Sequence, residues 1–553
     1  MRRTLGLVIA AVVVTGGIVQ VGLGTIGGPA GTDAPPSSVT ASGSPSAASS
    51  GSIVSPPPSG PAATEEPDAG ASSSPSASPS GPLADVPIVA ATSFRAPWTT
   101  TNPDEVAAVV AGESSRYEAI ELIGSEADAI VSALGIDRRG AGDRLVTVRD
   151  AGRLGRDLAA HRDRLAFLRA DEIGPNVRAL GWNGRSLFGV GRVRRNGAWP
   201  LTARLPRDPG SGGAFQAKAT WTLVAGGDIL LDRGVAKAVK IEGKGVDYPW
   251  NGGTADITSR YCCSSFGWRL PRSHRTGNAG AMGDLLRGAD LAVANFENPA
   301  PNSFAYHTHG TVFSADPKLI AGLRDAGIDA VSIANNHIGD AGRAGVVQTR
   351  RNLARYGIEA AGAGADAAQA HEPALLHANG VTVAILGYDS IAKYYNAGSS
   401  TPGSARLTKR SLRRDVARAR AAGADVVIVY PHWGTEYDPT PFGGQRSLAH
   451  DAIDAGADMV IGNHAHWAGA VEIYHGRPIW YALGNFVFDQ TWSEPTMEGM
   501  TLELTFRGRQ LVQAWMHPHL ILGGAQPNFL DPAGDGRVVM GQVFAASKGL
   551  LPW

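Results

Sequence analysis

The chain has 553 residues, with 50 Lys+Arg against 50 Asp+Glu, 43% hydrophobic and 18% charged residues. That balance excludes a highly charged nucleic-acid binder and a wholly disordered protein, and no nucleic-acid partner is expected. Two cysteines exclude a disulfide framework and a thiolate zinc module.

Arg2 and Arg3 precede an uncharged, largely apolar run that reaches Thr32. Residues 1–28 are read as an uncleaved single-pass signal-anchor, with a cleaved signal peptide as the alternative. The positive-inside rule then places everything after it outside the cytoplasm, at the cell membrane, or secreted if the segment is cleaved. Residues 29–88 are rich in Pro, Ser, Ala, Gly and Thr, which make up 42 of the 48 residues from Pro35 to Pro82, and the first aromatic residue is Phe94. Such a stretch buries too little apolar surface to offset its ordering entropy, so a disordered tether is expected.

Residues 89–216 have ordinary composition and form the expected small α/β accessory domain. Arg144 to Val148 reads as a strand, and Leu154, Leu158 and Leu165 suggest a helix. Arg153, Arg156, Arg162, Arg164 and Arg169 fit a solvated helix face better than a surface for an anionic polymer. Asp208 to Gly213 is a Gly/Pro-rich break.

Residues 217–527 alternate short apolar strands, polar loops and helices, and 528–553 are read as a C-terminal tail. Strands are expected at Trp221 to Ala225, Leu291 to Ala294, Ala330 to Ile333, Val381 to Leu386, Asp425 to Tyr430 and Met459 to Ile461. Helices are expected at Pro317 to Ala326, Gly342 to Tyr356, Ser411 to Ala422 and Gln445 to Ala455. This alternation implies an α/β sheet whose ligands collect at the carboxyl ends of its strands.

Those ends carry Gly226-Gly227-Asp228, Asn295-Phe296-Glu297-Asn298, Asn335-Asn336-His337 with Asp340, Tyr430-Pro431-His432, and Gly462-Asn463-His464-Ala465-His466. Oxygen and imidazole donors without thiolate suit one or two divalent ions, Mn²⁺ first, with Fe²⁺ or Zn²⁺ as alternatives. His464 and His466 are one residue apart, so in an extended segment both face one centre.

Gly227-Asp228, Asn295-Phe296-Glu297, Asn335-Asn336-His337, His432-Trp433-Gly434-Thr435-Glu436-Tyr437, Gly462-Asn463-His464-Ala465-His466 and Leu483-Gly484-Asn485-Phe486-Val487-Phe488 resemble the motif series of bacterial capsule-synthesis proteins of the CapA/PgsA type. That family is associated with poly-γ-glutamate capsules and is similar to calcineurin-like metallophosphoesterases. The resemblance implies an α/β fold, a metallophosphoesterase-like βαββα sandwich in four layers, preceded by the accessory domain and the tether. It implies metal ligation by Asp228, Glu297, Asn336, His432, His464 and His466, with Glu297 bridging. His337 takes the place of a leaving-group acid or transition-state stabiliser, and Asp340 orients its loop. Asn295, Asn335, Trp433, Glu436, Tyr437 and Asn485 are the expected substrate contacts. Asp228 is followed by Ile229 and Leu230 where metallophosphoesterases usually have Asp-x-His.

The function implied is a metal-dependent hydrolase or transferase acting on an anionic cell-envelope polymer such as poly-γ-glutamate, within a capsule-synthesis membrane complex. The alternative is a non-catalytic scaffold or export component. Outside the motifs, His307 and His309 read as surface-loop residues and His517-Pro518-His519 as structural. Adjacent Cys262 and Cys263 admit a strained ring, free thiols or intermolecular bonds. They lie in a polar insertion, 241–280, that is expected to cover the site.

Overall fold

A computed structural model describes residues 80–208 and 213–551. The expected signal-anchor, most of the tether and the centre of the Gly/Pro-rich break lie outside the described residues. No helix among the described residues is long and apolar enough to cross a membrane.

The first region is built on a six-stranded mixed sheet. Its order is Leu145–Val148, Ala119–Ile123, Arg164–Arg169, Ser80–Ser93 and Val177–Ala179, and Thr202–Asp208 pairs with the long strand Ser80–Ser93. The chain is therefore already paired over 80–88, which the sequence assigned to the tether. Val86 and Ile88 to Ala91 are buried there, and this short apolar run is what the Pro/Ser/Ala composition around it masks. The expected helix through Leu165 ends at Ala160, and Leu165 belongs to the strand Arg164–Arg169. Leu165-Ala166-Phe167-Leu168 is buried on both faces, and a continuous apolar run has no period that separates strand from helix. Of the arginines expected on one solvated face, Arg153, Arg156 and Arg162 are exposed, whereas Arg169 is wholly buried against Asp171.

The second region has two sheets face to face. The larger runs Leu270–Gly277, Thr254–Tyr261, Gln526–Phe529, Gln510–Leu522, Glu498–Arg507, Thr220–Ile229, Leu291–Phe296, Ala330–Ser332 and Glu359–Ala361, with Asn485–Val487 also paired to Thr220–Ile229. The smaller runs Ala374–Ala378, Val381–Asp389, Val426–His432, Met459–Ile461, Arg477–Trp480 and Val471–Tyr474. Period-two alternation explains the stacking. Trp221, Leu223 and Ala225 point into a core shared with Val426, Ile428 and Tyr430 of the other sheet. Val224 faces out onto a helical layer with Leu323, Val346 and Leu353, and Val427 and Val429 face out onto Leu412, Val416 and Ala419. The layers are helix, sheet, sheet, helix.

The helix Lys409–Ala421 begins at a capping box between Thr408 and Ser411, and its apolar positions 412, 416 and 419 share one face. Trp221 stacks on its cross-strand partner Phe506 with ring centroids 4.2 Å apart. Within 528–553, read as a tail, the described residues instead complete a strand and carry the helix Gly536–Ala546, whose Val539, Met540 and Val543 enter the main core. The insertion forms the hairpin Thr254–Tyr261 and Leu270–Gly277, with Cys262 and Cys263 joined by a disulfide at its tip.

Candidate metal centre

Every strand-end motif comes to one place, where the carboxyl edges of the two sheets meet. Asp228, Glu297 and the Asn335 to His337 loop arrive from the larger sheet, and His432, His464 and His466 from the smaller. Glu297, His432 and His464 present ligand atoms within 4.8 Å of one another, and so do Asp228, Glu297 and His466. Glu297 belongs to both triads. All five side chains are buried.

The contacts are those of a crowded polar centre. His464 Nδ1 lies 3.0 Å from His432 Nε2, which is 3.4 Å from Glu297 Oε1 and 2.7 Å from Asn336 Oδ1. His466 Nδ1 is 3.7 Å from Asp228 Oδ2, and its Nε2 is 3.8 Å from Glu297 Oε1. Burial drives the His432 and His464 imidazoles well below the ordinary histidine value, and neighbouring imidazoles push the same way. Both are therefore neutral at neutral pH, the form that ligates a metal. Burial raises the Asp228 carboxyl, while the His466 imidazole and hydrogen bonds from Asn295 and the His464 N–H act against that rise. Asn295 Oδ1 and Asn463 Oδ1 are buried without a hydrogen-bond partner. Neutral imidazoles and carboxylates converging on one centre fit a divalent cation.

The convergence of His464 and His466 has a different cause from the extended segment expected. Both have left-handed backbone, at φ 93° and 56°, and the turn rather than strand alternation brings the rings to 6.1 Å. Gly462, just before them, packs against the Tyr481 carbonyl and the Trp433 indole, leaving no room for a side chain.

Beside the donors, His337 Nδ1 is 2.9 Å from Asp340 Oδ2, and Asn336 Nδ2 is 2.9 Å from His337 Nε2. Asp340 is held by the Phe313 N–H at 2.9 Å and the Tyr395 hydroxyl at 3.4 Å. Three expected substrate contacts turn inward as braces. Asn295 donates to Asp228 Oδ1 at 2.7 Å, Asn335 donates to the Phe296 carbonyl at 2.8 Å, and Asn485 Oδ1 is 2.9 Å from His466 Nδ1. Trp433 is buried, stacks on Tyr481 and donates to its carbonyl, so it packs beneath the site instead of lining it. Glu436 is exposed, whereas Tyr437 lies between the His466 ring and Trp492.

Several neighbours come from outside the expected site residues. Phe313 lies 4.2 Å from the His337 ring, and Phe488 lies 5.0 Å from His466. Leu230, where an imidazole was noted as missing, is buried in an apolar cluster with Phe313, Phe488 and Ile521. Trp268 of the insertion packs edge-on to Trp467, the residue after His466, and Arg260 forks onto Glu494. The insertion thus borders the site. His307 pairs with Asp232 and His517 with Glu503, while buried His519 bonds the Asn485 carbonyl behind His466.

Residues 222–490 match the family described as Bacterial capsule synthesis protein PGA_cap. The chain is 34% identical over 213 residues to the PGA biosynthesis protein CapA of Bacillus subtilis (strain 168), covering 38% of this chain and 56% of that protein. It is 32% identical over 274 residues to the capsule biosynthesis protein CapA of Bacillus anthracis, covering 48% of this chain and 66% of that protein. It therefore spans less than two thirds of either relative. A solved 5'-nucleotidase precursor from Thermus thermophilus is similar at 14% identity and a TM-score of 0.33, covering 60% of this chain and 59% of that one, a distant likeness. Residues 222–490, just under half of the chain, thus carry its likeness to the bacterial capsule synthesis protein family.

Proposed function

We propose that this chain is a membrane-tethered, extracytoplasmic accessory protein of capsule synthesis that works as a metal-dependent hydrolase or transferase on an anionic envelope polymer such as poly-γ-glutamate. The names of its relatives support the polymer, and the two donor triads sharing Glu297 carry the chemistry. In this reading the second region is metallophosphoesterase-like. Asp228, Glu297 and His466 would hold one divalent ion, and Glu297, His432 and His464 another, with Asn336 beside His432. A bound divalent ion supplies Lewis-acid polarisation of an oxyanion and a more acidic water.

The remaining chemistry belongs to the chain itself. Asp340 fixes the proton of His337 on Nδ1 and stabilises the imidazolium formed when Nε2 is protonated. From Nε2 the proton passes to the leaving oxygen or nitrogen as the polymer bond breaks. Phe313 and Phe488 exclude water around the two imidazoles. Leu230, in the place of an imidazole, is the observation that favours the second reading, a scaffold that holds the polymer without cleaving it. Cleavage of a γ-glutamyl or phosphodiester oligomer by the purified protein, lost in His337→Ala, separates the two. An intact oligomer after incubation with metal-loaded protein favours the scaffold. The tether rests on Arg2, Arg3 and the apolar run after them, and protease added to envelope-permeable cells should release the folded regions.

A further inference from the structure

Away from the metal centre, a cavity of about 360 Å³ opens where the first region meets the C-terminal helix Gly536–Ala546. Arg95 and Arg178 line it from the first region, Arg537, Met540 and Phe544 from one face of the helix, and Met516 from the strand beneath. Among the described residues, no carboxylate lines it.

Arg178 is only 6% exposed, its Nε has no partner, and its Nη2 makes one long contact of 3.5 Å to the Phe94 carbonyl. Arg95 leans over the Phe544 ring and donates from Nη2 to the Leu551 carbonyl at 3.0 Å, while its Nε is also buried without a partner. Buried guanidinium groups are ordinarily paired with an anion, because an uncompensated buried charge costs several kcal/mol. Burial pushes Arg178 down to about 10, and burial together with the charge of Arg162 lowers Arg95, so both are the less stable for lacking one.

We infer that this cavity is a binding site for a small organic anion, an oxyanion head taken by Arg178, Arg95 and Arg537 with an apolar body against Met516, Met540 and Phe544. The guanidinium fork matches the two oxygens of a carboxylate or phosphate. The volume is that of a small-molecule pocket, typically about 300–1,000 Å³. A ligand held there touches both the first region and the helix packed into the second region, and so ties the two together.

The test uses the whole chain in Tris chloride, free of other oxyanions, with phenylacetate, phenyl phosphate and neutral benzyl alcohol as probes. Phenylacetate or phenyl phosphate should raise the melting temperature while benzyl alcohol does not, and the anion that does so identifies the head group. Arg178→Met and Arg537→Gln should each weaken binding about tenfold, the loss of one charge-assisted hydrogen bond. Ligand-free Arg178→Met should melt no lower than the parent, because it removes an uncompensated charge. Failure of both anions to exceed benzyl alcohol overturns the inference. So does unchanged affinity in Arg537→Gln, a variant of an exposed residue that keeps the test valid even if Arg178→Met does not fold.

Discussion

His432 Nε2 faces His464 Nδ1 at 3.0 Å in a buried pocket, ring nitrogen to ring nitrogen, with Glu297 Oε1 3.4 Å from the first. A single proton can serve that pair of facing nitrogens, whereas a divalent ion would draw on His432, His464 and Glu297 together. Glu297 is common to both donor triads, while Asp228 belongs to one. Glu297→Gln should therefore abolish metal retention at both positions, and Asp228→Asn should leave one ion per chain. Metal-to-protein ratios of the two variants check this, and equal ratios would contradict a shared carboxylate.

His337→Ala should lower turnover of a susceptible oligomer by about 10²–10⁴, the usual contribution of a general acid. Its metal content should stay at the parent level, because His337 lies in neither triad. Asp340→Asn should depress turnover less than His337→Ala, since it removes the charge of the carboxylate that holds the His337 ring through Nδ1. A fall in bound metal in His337→Ala would reassign the residue from acid to ligand.

Gly227 precedes Asp228 on a strand paired with Asn485, and a Cβ at position 227 would fall into the Gly484 carbonyl. Overpacking against backbone costs about 1–3 kcal/mol, and here the displaced strand carries Asp228. Gly227→Ala should lower both the urea midpoint and the bound metal. An unchanged midpoint would show that the two strands can separate without cost.

Much of this centre is legible in the sequence because each ligand follows a short apolar run and sits beside Gly, Asn or Pro, a pattern that needs no tertiary information. Asp228, Glu297, His432 and His464 are of that kind. What composition hides depends on contacts between distant segments. Phe313 and Phe488 reach the histidines from separate loops, and the inward turn of Asn295 and Asn485 is fixed only by their buried partners. The left-handed backbone at His464 and His466 has only a weak residue signature, the modest enrichment of His among non-Gly residues at positive φ. Strands buried on both faces, such as Arg164–Arg169, lose the alternation that would identify them.

Glu498 is buried beside Glu494, and burial together with that second carboxylate raises it from 4.5 to about 8. Because the folded-state value is the higher one, the stability it contributes is fully present below 4.5 and is lost as pH rises through about 8. The slope in that window is about 1.4 kcal/mol per pH unit for one fully shifted group. Glu498→Gln does not titrate, so its stability should gain on the parent as pH rises from about 5 to about 8. Urea midpoints at the two ends of the window read the difference, and a constant gap would show that Glu498 ionises normally in the fold.

The most direct measurement is metal analysis of the purified chain after Mn²⁺ supplementation, alongside His464→Ala with His466→Ala, each confirmed as folded by circular dichroism. The expected result is one or two ions per chain in the parent and none in the double variant. Absence of bound metal in the parent, or equal metal in both proteins, would contradict a metal centre built on Asp228, Glu297 and the three histidines.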